Sequence, residues 1–370
     1  MKILVISHTE HFVNNDGTIL GWGSTIKELD AMANAFGEVI HIACLHNKTA
    51  PASSIPYSGK VRFVPIKPFG GKGFINKLSI VVNAIANLRI IRKELKNADV
   101  FQFRAPTSIG LYIIPYLTFF SKKNGWYKYA GNWVQKNAPI SYRIQKWMLL
   151  YWQSRKITIN GKWDNQPDKC LSFENPCLTD EGRVVGQQIL HERKFNTPFN
   201  LCFVGRLDAE KGIYDILEAI NQYPDKSIFN RLDIIGDGAE IPNIKKLTER
   251  IGITVKIHGA LQREDVFEVY KQADFILLPS KSEGFPKVIA EAANFGCIPV
   301  VSDVSAISQY INNTNGFLYQ HQDKPFTSFF ADIPFADTDR LKLIACNAYQ
   351  MAAPFTYNAY IKKLQQNIID

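Results

Sequence analysis

Short apolar runs, each followed by a helical pattern, recur from one end of this chain to the other, and few architectures accept such a rhythm. In the first half the runs are KILVIS, VIHIACL, VRFVPI, DVFQFR (Asp99–Arg104), WYKYAG (Trp126–Gly131) and KITING (Lys156–Gly161). Helices are predicted from about Ser24 to Phe36 and along the stretch after VRFVPI. In the second half the runs are LCFVG, LDIIGDG, VKIHGAL, DFILLPS and IPVVSD. The helices between them begin near Ile213, end near Ile251, run through Val266 to Gln272 and start at Pro286. Strands alternating with amphipathic helices form βαβ units, so the pattern predicts an α/β protein with doubly wound parallel sheets.

At 370 residues the chain exceeds what one hydrophobic core usually serves, and two domains are expected. Polar, turn-rich sequence between Glu174 and Pro198 places the hinge, giving a Rossmann-like N-terminal domain over 1–180 and a second over 198–354. The last segment, 355–370, reads as a helix crossing back onto the first domain. Two such domains would bring the C-terminal edges of two parallel sheets to face a cleft, where ligands bind in open α/β folds.

Composition excludes several classes. With 46% apolar and 21% charged residues the chain is neither disordered nor fibrous, and it holds no internal repeat. The six cysteines are scattered without a CxxC, which signals neither a zinc site nor a disulfide framework and fits a reducing cytoplasm. MKILVIS reads as a first strand rather than a secretory signal, and Ile109–Phe120 is too short to span a bilayer.

The formal charge of +9 is unevenly placed: residues 1–180 hold 23 Lys/Arg against 11 Asp/Glu, and residues 181–370 hold 20 against 23. Within the basic half, residues 72–96 carry Lys72, Lys77, Arg89, Arg92, Lys93 and Lys96 on an apolar helical pattern. YRIQKWMLLYWQSRK mixes Arg143, Lys146, Arg155 and Lys156 with Tyr142, Trp147, Tyr151 and Trp152. Both suit an anionic membrane surface at the inner face of the membrane; the other reading is a core-facing helix with a solvated basic side. No nucleic-acid partner is expected.

The strand LCFVG runs into Gly205-Arg206-Leu207-Asp208-Ala209-Glu210-Lys211-Gly212 and then a helix. Glycines at such a turn admit a ligand to the backbone, and Arg206 and Lys211 add two positive charges, so a diphosphate is the expected guest. The plainer reading is a surface turn with Arg206 and Lys211 paired to Asp208 and Glu210. A second turn, Ser282 to Glu291, places Gly284, Phe285, Pro286 and Lys287 at a helix start, with Pro286 expected at the first helical position. Glu283 and Glu291 are eight residues apart, about 12 Å along a helix, a separation that brackets a diphosphate. Glu283 then takes sugar hydroxyls and Glu291 those of ribose, unless Glu291 merely pairs with Lys287 one turn earlier. The turns at Gly236-Asp237-Gly238 and at Gly259 to Leu261 end neighbouring strands and could hold the base or be structural.

FVGRLDAEKG, LDIIGDG, VKIHGAL, DFILLPSKSEGFPKVIAEA and GCIPVVSD, in this order and spacing, resemble the family 4 retaining glycosyltransferases of the GT-B fold. The resemblance covers nearly all of residues 200–320; SFENPC resembles the family's asparagine-bearing strand, and the N-terminal domain matches in outline. It implies catalytic roles for Arg206, Lys211 and Glu283, a ribose contact for Glu291, and a donor pocket built from the turns above. Gly21-Trp22-Gly23-Ser24 looks like the family's N-terminal glycine loop, which would cover phosphates or acceptor; a loop tip with Ser24 as helix cap is the alternative.

This chain departs from the pattern at Gln102, Arg104 and Asn132, where many relatives have acceptor-side histidines, and at Ser305-Ala306 and Gln309, in place of paired glycines and a glutamate. Arg104 and Asn132 are therefore acceptor-side candidates. Asp337-Thr338-Asp339, the only DxD string, lies far beyond the donor motifs and reads as a solvated turn.

The activity implied is retaining transfer of a hexose from a UDP- or GDP-sugar to a saccharide, on a lipid carrier, in surface polysaccharide synthesis, with no metal and no cofactor. A nucleotide-sugar 2-epimerase of the same fold is the alternative enzyme. A non-catalytic basic module for membrane or nucleic acid, with a relic donor pocket, is the alternative of another class.

Overall fold

A computed structural model describes residues 1–69, 82–135 and 137–369. Lys72 and Lys77, and with them the first part of the basic stretch 72–96, lie outside the described residues. The chain divides into two compact units, Met1–Glu174 with Asn358–Asp370, and Asn175–Tyr357.

The first unit contains β1 (Lys2–Val13), β2 (Ile19–Trp22), α1 (Gly23–Phe36), β3 (Glu38–His46), β4 (Ser54–Pro56), β5 (Val61–Ile66) and α2 (Ala84–Asn97). It continues with β6 (Val100–Ala105), α3 (Gly110–Phe119), β7 (Gly125–Tyr129), α4 (Ile140–Tyr151), β8 (Ile157–Ile159) and β9 (Cys170–Ser172). Parallel strands run in the order β5-β3-β1-β6-β7-β8-β9. Residues alternate between faces along β1: Leu4 and Ile6 join the core with Ile91, Ile113 and Leu149, whereas Ile3 and Val5 join Leu29, Met32, Tyr360 and Leu364. Both faces are thus covered by helices, as a doubly wound sheet requires.

β1 is longer than KILVIS. A register shift between Ile6 and Glu10 lets it continue to Val13, where it pairs antiparallel with β2, and β2 pairs with β4. The expected glycine loop is therefore a strand end: Gly21 pairs with His11, Gly23 is the first residue of α1, and the residue before the helix is Trp22 rather than Ser24.

The second unit contains α5 (Asp180–Glu192), β10 (Phe199–Val204), α6 (Ile213–Gln222), β11 (Phe229–Ile235), α7 (Ile241–Thr248), β12 (Thr254–Gly259) and α8 (Arg263–Gln272). β13 (Phe275–Leu278), α9 (Lys287–Ala293), β14 (Ile298–Ser302), β15 (Phe317–Tyr319), α10 (Phe326–Ala331) and α11 (Thr338–Met351) complete it. Its parallel strands run β12-β11-β10-β13-β14-β15.

The stretch read as a polar linker holds α5. Thr179 accepts a hydrogen bond from Gly182 N at 2.9 Å, and Asp180 and Glu181 occupy the first turn, a complete helix start. Arg193, just after α5, donates to the carbonyls of Tyr270, Lys271, Ala273 and Phe295 and to Asp274 Oδ1, so it closes the C-terminus of α8. Asp337, Thr338 and Asp339 are exposed, as a solvated segment would be, but they open a helix: Asp337 caps α11, accepting from Arg340 N at 3.1 Å.

α12 (Tyr357–Leu364) begins in the second unit, and from Asn358 onward the chain belongs to the first. There the Tyr360 hydroxyl donates to Glu28 Oε1 at 3.0 Å and Lys363 pairs with Glu174 at 2.6 Å.

Candidate functional site

In the second sheet the chain leaves β10 toward β11 and β12 and then returns to the other side of β10 as β13, β14 and β15. The strand order reverses between β10 and β13, so a crevice opens at their C-terminal ends. Both turns singled out in the sequence border it. Gly212 takes a φ of +76°, and a Cβ there would lie 2.4 Å from Pro279 O, so only glycine lets the first turn pack against the chain leaving β13. Lys281 N donates to Glu210 O at 2.9 Å, which joins the turns through the backbone.

Across this crevice Lys211 Nζ sits 2.5 Å from Glu283 Oε1, with side chains only 18% and 12% exposed. The pair is charge-assisted and largely withdrawn from water. Lys211 is therefore not paired to Glu210. Arg206 does follow the plainer reading in part, lying 3.1 Å from Asp208 Oδ2, yet its side chain is 79% exposed, so the guanidinium is open to other anions.

The glycine turns converge on the same sheet edge. Gly205 N donates to Ile235 O at 3.0 Å, Leu207 N to Asp237 O at 2.9 Å, and Gly236 N to Gly259 O at 2.8 Å. Gly236 has a φ of +140°, and a Cβ on it would be 1.8 Å from Gly205 O; this contact requires glycine. The Asp237 carboxylate accepts from Gly238 N at 2.8 Å and so serves its own turn. Leu261 packs, half-buried, against the core cluster of Val266 and Ile276.

Pro286 is the residue before α9 rather than its first member, with φ −70° and ψ 127°. The Phe285 ring is buried against Tyr310 and Phe355, with centroids at 4.7 and 4.6 Å, so it anchors the turn instead of offering a face to a ligand. Gly284 has open space where a Cβ would stand. Its carbonyl accepts from Ala306 N at 3.3 Å, which brings the turn after β14 alongside; Ser305 there adopts a φ of +54°, the conformation a glycine would take without strain.

Glu291 does not pair with Lys287. Arg263, the first residue of α8, holds Glu291 Oε1 with Nε at 3.2 Å and a terminal nitrogen at 3.1 Å, while Lys287 Nζ donates to Pro176 O at 2.8 Å. Arg263 was not anticipated: its partner lies 28 residues away, and no local pattern marks the pair.

The first unit has a concavity of about 440 Å³ beside the register shift of β1, lined by Ser7, His8, Thr9, Trp22, Ser53 and Arg104 among others. Arg104 is buried: it donates to Glu28 Oε1 at 2.9 Å and to Gln102 Oε1 at 2.9 Å, and Lys128 reaches both oxygens of Glu28 at 2.7 and 2.8 Å. Gln102 is fully buried beneath it. Desolvation, and then the Arg104 charge, hold the His8 imidazole below its ordinary pKa, against the opposing Glu10, so it is a neutral acceptor near neutrality.

Behind the pocket wall runs a directed chain of hydrogen bonds. The Thr9 carbonyl only accepts, so His11 Nδ1, 3.0 Å away, carries the hydrogen. His11 Nε2 then accepts from the Tyr57 hydroxyl at 2.6 Å, whose oxygen accepts from His41 Nδ1 at 2.6 Å, and His41 Nε2 accepts from Ser7 at 2.8 Å. Burial drives His11 down to about 4 and His41 well below its ordinary value, consistent with two neutral rings.

Asn132 does not join Arg104. Its Oδ1 accepts from Val134 N at 3.0 Å, and it borders a separate concavity beside Trp133, Arg143 and Trp147. Gly21 and Gly23 do not line the Arg104 pocket; the exposed Trp22 between them does.

Residues 187–325 match the family model described as Glycosyl transferases group 1. TuaC of Bacillus subtilis, assigned as a teichuronic acid biosynthesis glycosyltransferase, is 35% identical over 163 residues, covering 41% of this chain and 39% of that protein. D-inositol 3-phosphate glycosyltransferase of Corynebacterium urealyticum is 29% identical over 174 residues, 44% of this chain and 41% of its own length. The chain thus matches about two fifths of the length of these relatives. Among solved structures, Anabaena HepE in complex with UDP aligns over 100% of both chains with a TM-score of 0.69 at 15% identity. Sucrose-phosphate synthase of Thermosynechococcus elongatus aligns over 99% of this chain and 98% of its own with a TM-score of 0.73 at 17% identity. The fold is GT-B, two parallel-sheet α/β domains.

Proposed function

We propose that the protein is a glycosyltransferase that moves a hexose from a nucleoside diphosphate sugar to a saccharide, with retention of anomeric configuration and without a metal ion. The observation that carries this reading is the Lys211–Glu283 pair at the strand-order reversal, flanked by the exposed Arg206. Breaking a glycosidic C–O bond builds negative charge on the departing diphosphate. The Lys211 ammonium and the Arg206 guanidinium beside that charge supply the main stabilisation a transfer reaction needs.

Glu283 and Glu291 divide the polyol contacts. Glu283 takes hydroxyls of the transferred sugar, and Glu291, with one oxygen held by Arg263, offers the other to a ribose. The resemblance to group 1 transferases over residues 187–325 supports the donor assignment, and the bound UDP in the HepE structure agrees with the chemistry proposed. The acceptor binds in the first unit. Trp22 is a flat apolar platform for a sugar ring, with the hydroxyls of Thr9 and Ser53 and the neutral His8 beside it. A surface polysaccharide intermediate on a lipid carrier is the acceptor we assign, and the enzyme works in the cytoplasm.

Calorimetric titration with UDP, GDP and their hexose conjugates, followed by product analysis with the conjugate that binds, tests the proposal. Tight binding of one conjugate and transfer to a saccharide are expected. Release of an epimerised sugar nucleotide without transfer would overturn it in favour of a 2-epimerase.

A further inference from the structure

Helix α4 carries two apolar faces. One, with Met148 and Leu149, is buried in the first unit; the other, with Ile140, Ile144, Trp147 and Tyr151 at spacings of four, three and four residues, is exposed along one stripe. Ile140 is 74% and Tyr151 72% exposed, and at the end of α3 Phe120 is 77% exposed, values that no soluble surface requires. The patch is continuous: Trp147 lies 4.9 Å from Trp152 and 6.4 Å from Tyr151, and Trp152 lies 5.7 Å from Phe119.

The charges on the segment that carries it have one sign. From Val100 to Trp163 the chain contains ten Lys or Arg residues and no Asp or Glu. Lys122 and Arg143 are exposed, and Arg143 and Lys146 border the concavity that the patch shares with Trp133 and Tyr142. Among the described residues no helix is long and apolar enough to cross a membrane. An aromatic and aliphatic stripe on a segment whose charges are all positive matches an anionic bilayer, where rings enter the headgroup layer and cations meet phosphates.

We propose that the stripe Ile140–Ile144–Trp147–Tyr151 of α4, with Phe119 and Phe120, docks the protein on an anionic phospholipid surface. A protein partner that covered the stripe would need its own acidic rim. A lipid bilayer supplies the apolar layer and the negative charge together.

Co-sedimentation of the full chain with vesicles of phosphatidylcholine alone and of phosphatidylcholine mixed with phosphatidylglycerol tests this. Binding to the mixed vesicles, weakened by salt, is expected. The doubly substituted Ile140→Ser, Tyr151→Ser protein and the Lys122→Glu, Arg143→Glu protein should each lose about tenfold or more in partitioning. Their melting temperatures should match the parent's, since all four side chains are solvent-exposed. Nucleotide binding, measured in parallel, keeps a failure of this inference distinct from a failure of the transferase reading. Equal binding to both vesicle types, or none, overturns the proposal. So does a concentration-dependent dimer that the Ile140→Ser, Tyr151→Ser protein no longer forms, since the stripe would then belong to a second copy of the chain.

Discussion

Lys211 and Glu283, 72 residues apart in sequence, form one ion pair across the strand-order reversal of the second sheet. The pair joins the two turns that border the crevice.

A diphosphate that uses the Lys211 ammonium competes with the Glu283 carboxylate. Glu283→Gln is therefore expected to tighten binding of a free nucleoside diphosphate by about 1–2 kcal/mol. The same change should lower transfer by about a hundredfold or more, because the sugar contact is lost. Lys211→Ala should weaken nucleotide binding. Calorimetry and initial rates check both, and an affinity unmoved by either change would place the diphosphate elsewhere.

Arg206 is exposed and only laterally paired, so its removal should leave the fold intact. Arg206→Ala is expected to weaken nucleoside diphosphate binding by about 1.5–3 kcal/mol, the worth of charge-assisted hydrogen bonds. Arg206→Lys should recover part of this, since a point charge replaces the planar fork. Titration calorimetry on the three proteins, at matched ionic strength, reads the difference.

Acid should destabilise the first unit through its buried histidines. The His11 pKa is about 4 in the folded chain against an ordinary value of 6.5, so the unfolded chain binds more protons between these limits. The stabilisation is complete above about pH 6.5 and is lost as the pH falls toward 4, by about 3 kcal/mol in all from this ring. His41 adds to the loss in the same direction. Urea unfolding between pH 7 and pH 4 should show this slope, and His11→Gln should flatten it.

Gly236→Ala should destabilise the second unit by about 3 kcal/mol or more, because the added methyl meets the Gly205 carbonyl and the backbone φ is unfavourable for alanine. Gly284→Ala, with open space and no left-handed φ, should change stability little. Urea midpoints of the two proteins make the comparison. Similar losses at both positions would mean that the turn at Gly236 relaxes.

The alternation of apolar runs and helical patterns determined two parallel-sheet units, because burial periodicity is local and each run carries its own signal. The glycine turns of the second sheet were legible for the same reason: a glycine that must approach another backbone is marked within a few residues. Where side chains choose partners, local sequence was silent. Glu291 took Arg263 rather than Lys287, and Lys211 took Glu283 rather than Glu210, since a buried charge pairs with whatever cation or carboxylate the sheet order brings near. Helix α5 was hidden in a segment of turn-forming residues, although Thr179, Asp180 and Glu181 already spelled its cap. Only tertiary structure decided that β1 runs on past Ser7 into a hairpin, that Arg104 is sunk against Glu28, and that the second apolar face of α4 is left in solvent. Each is settled by non-local packing, which sums contacts that no window of sequence contains.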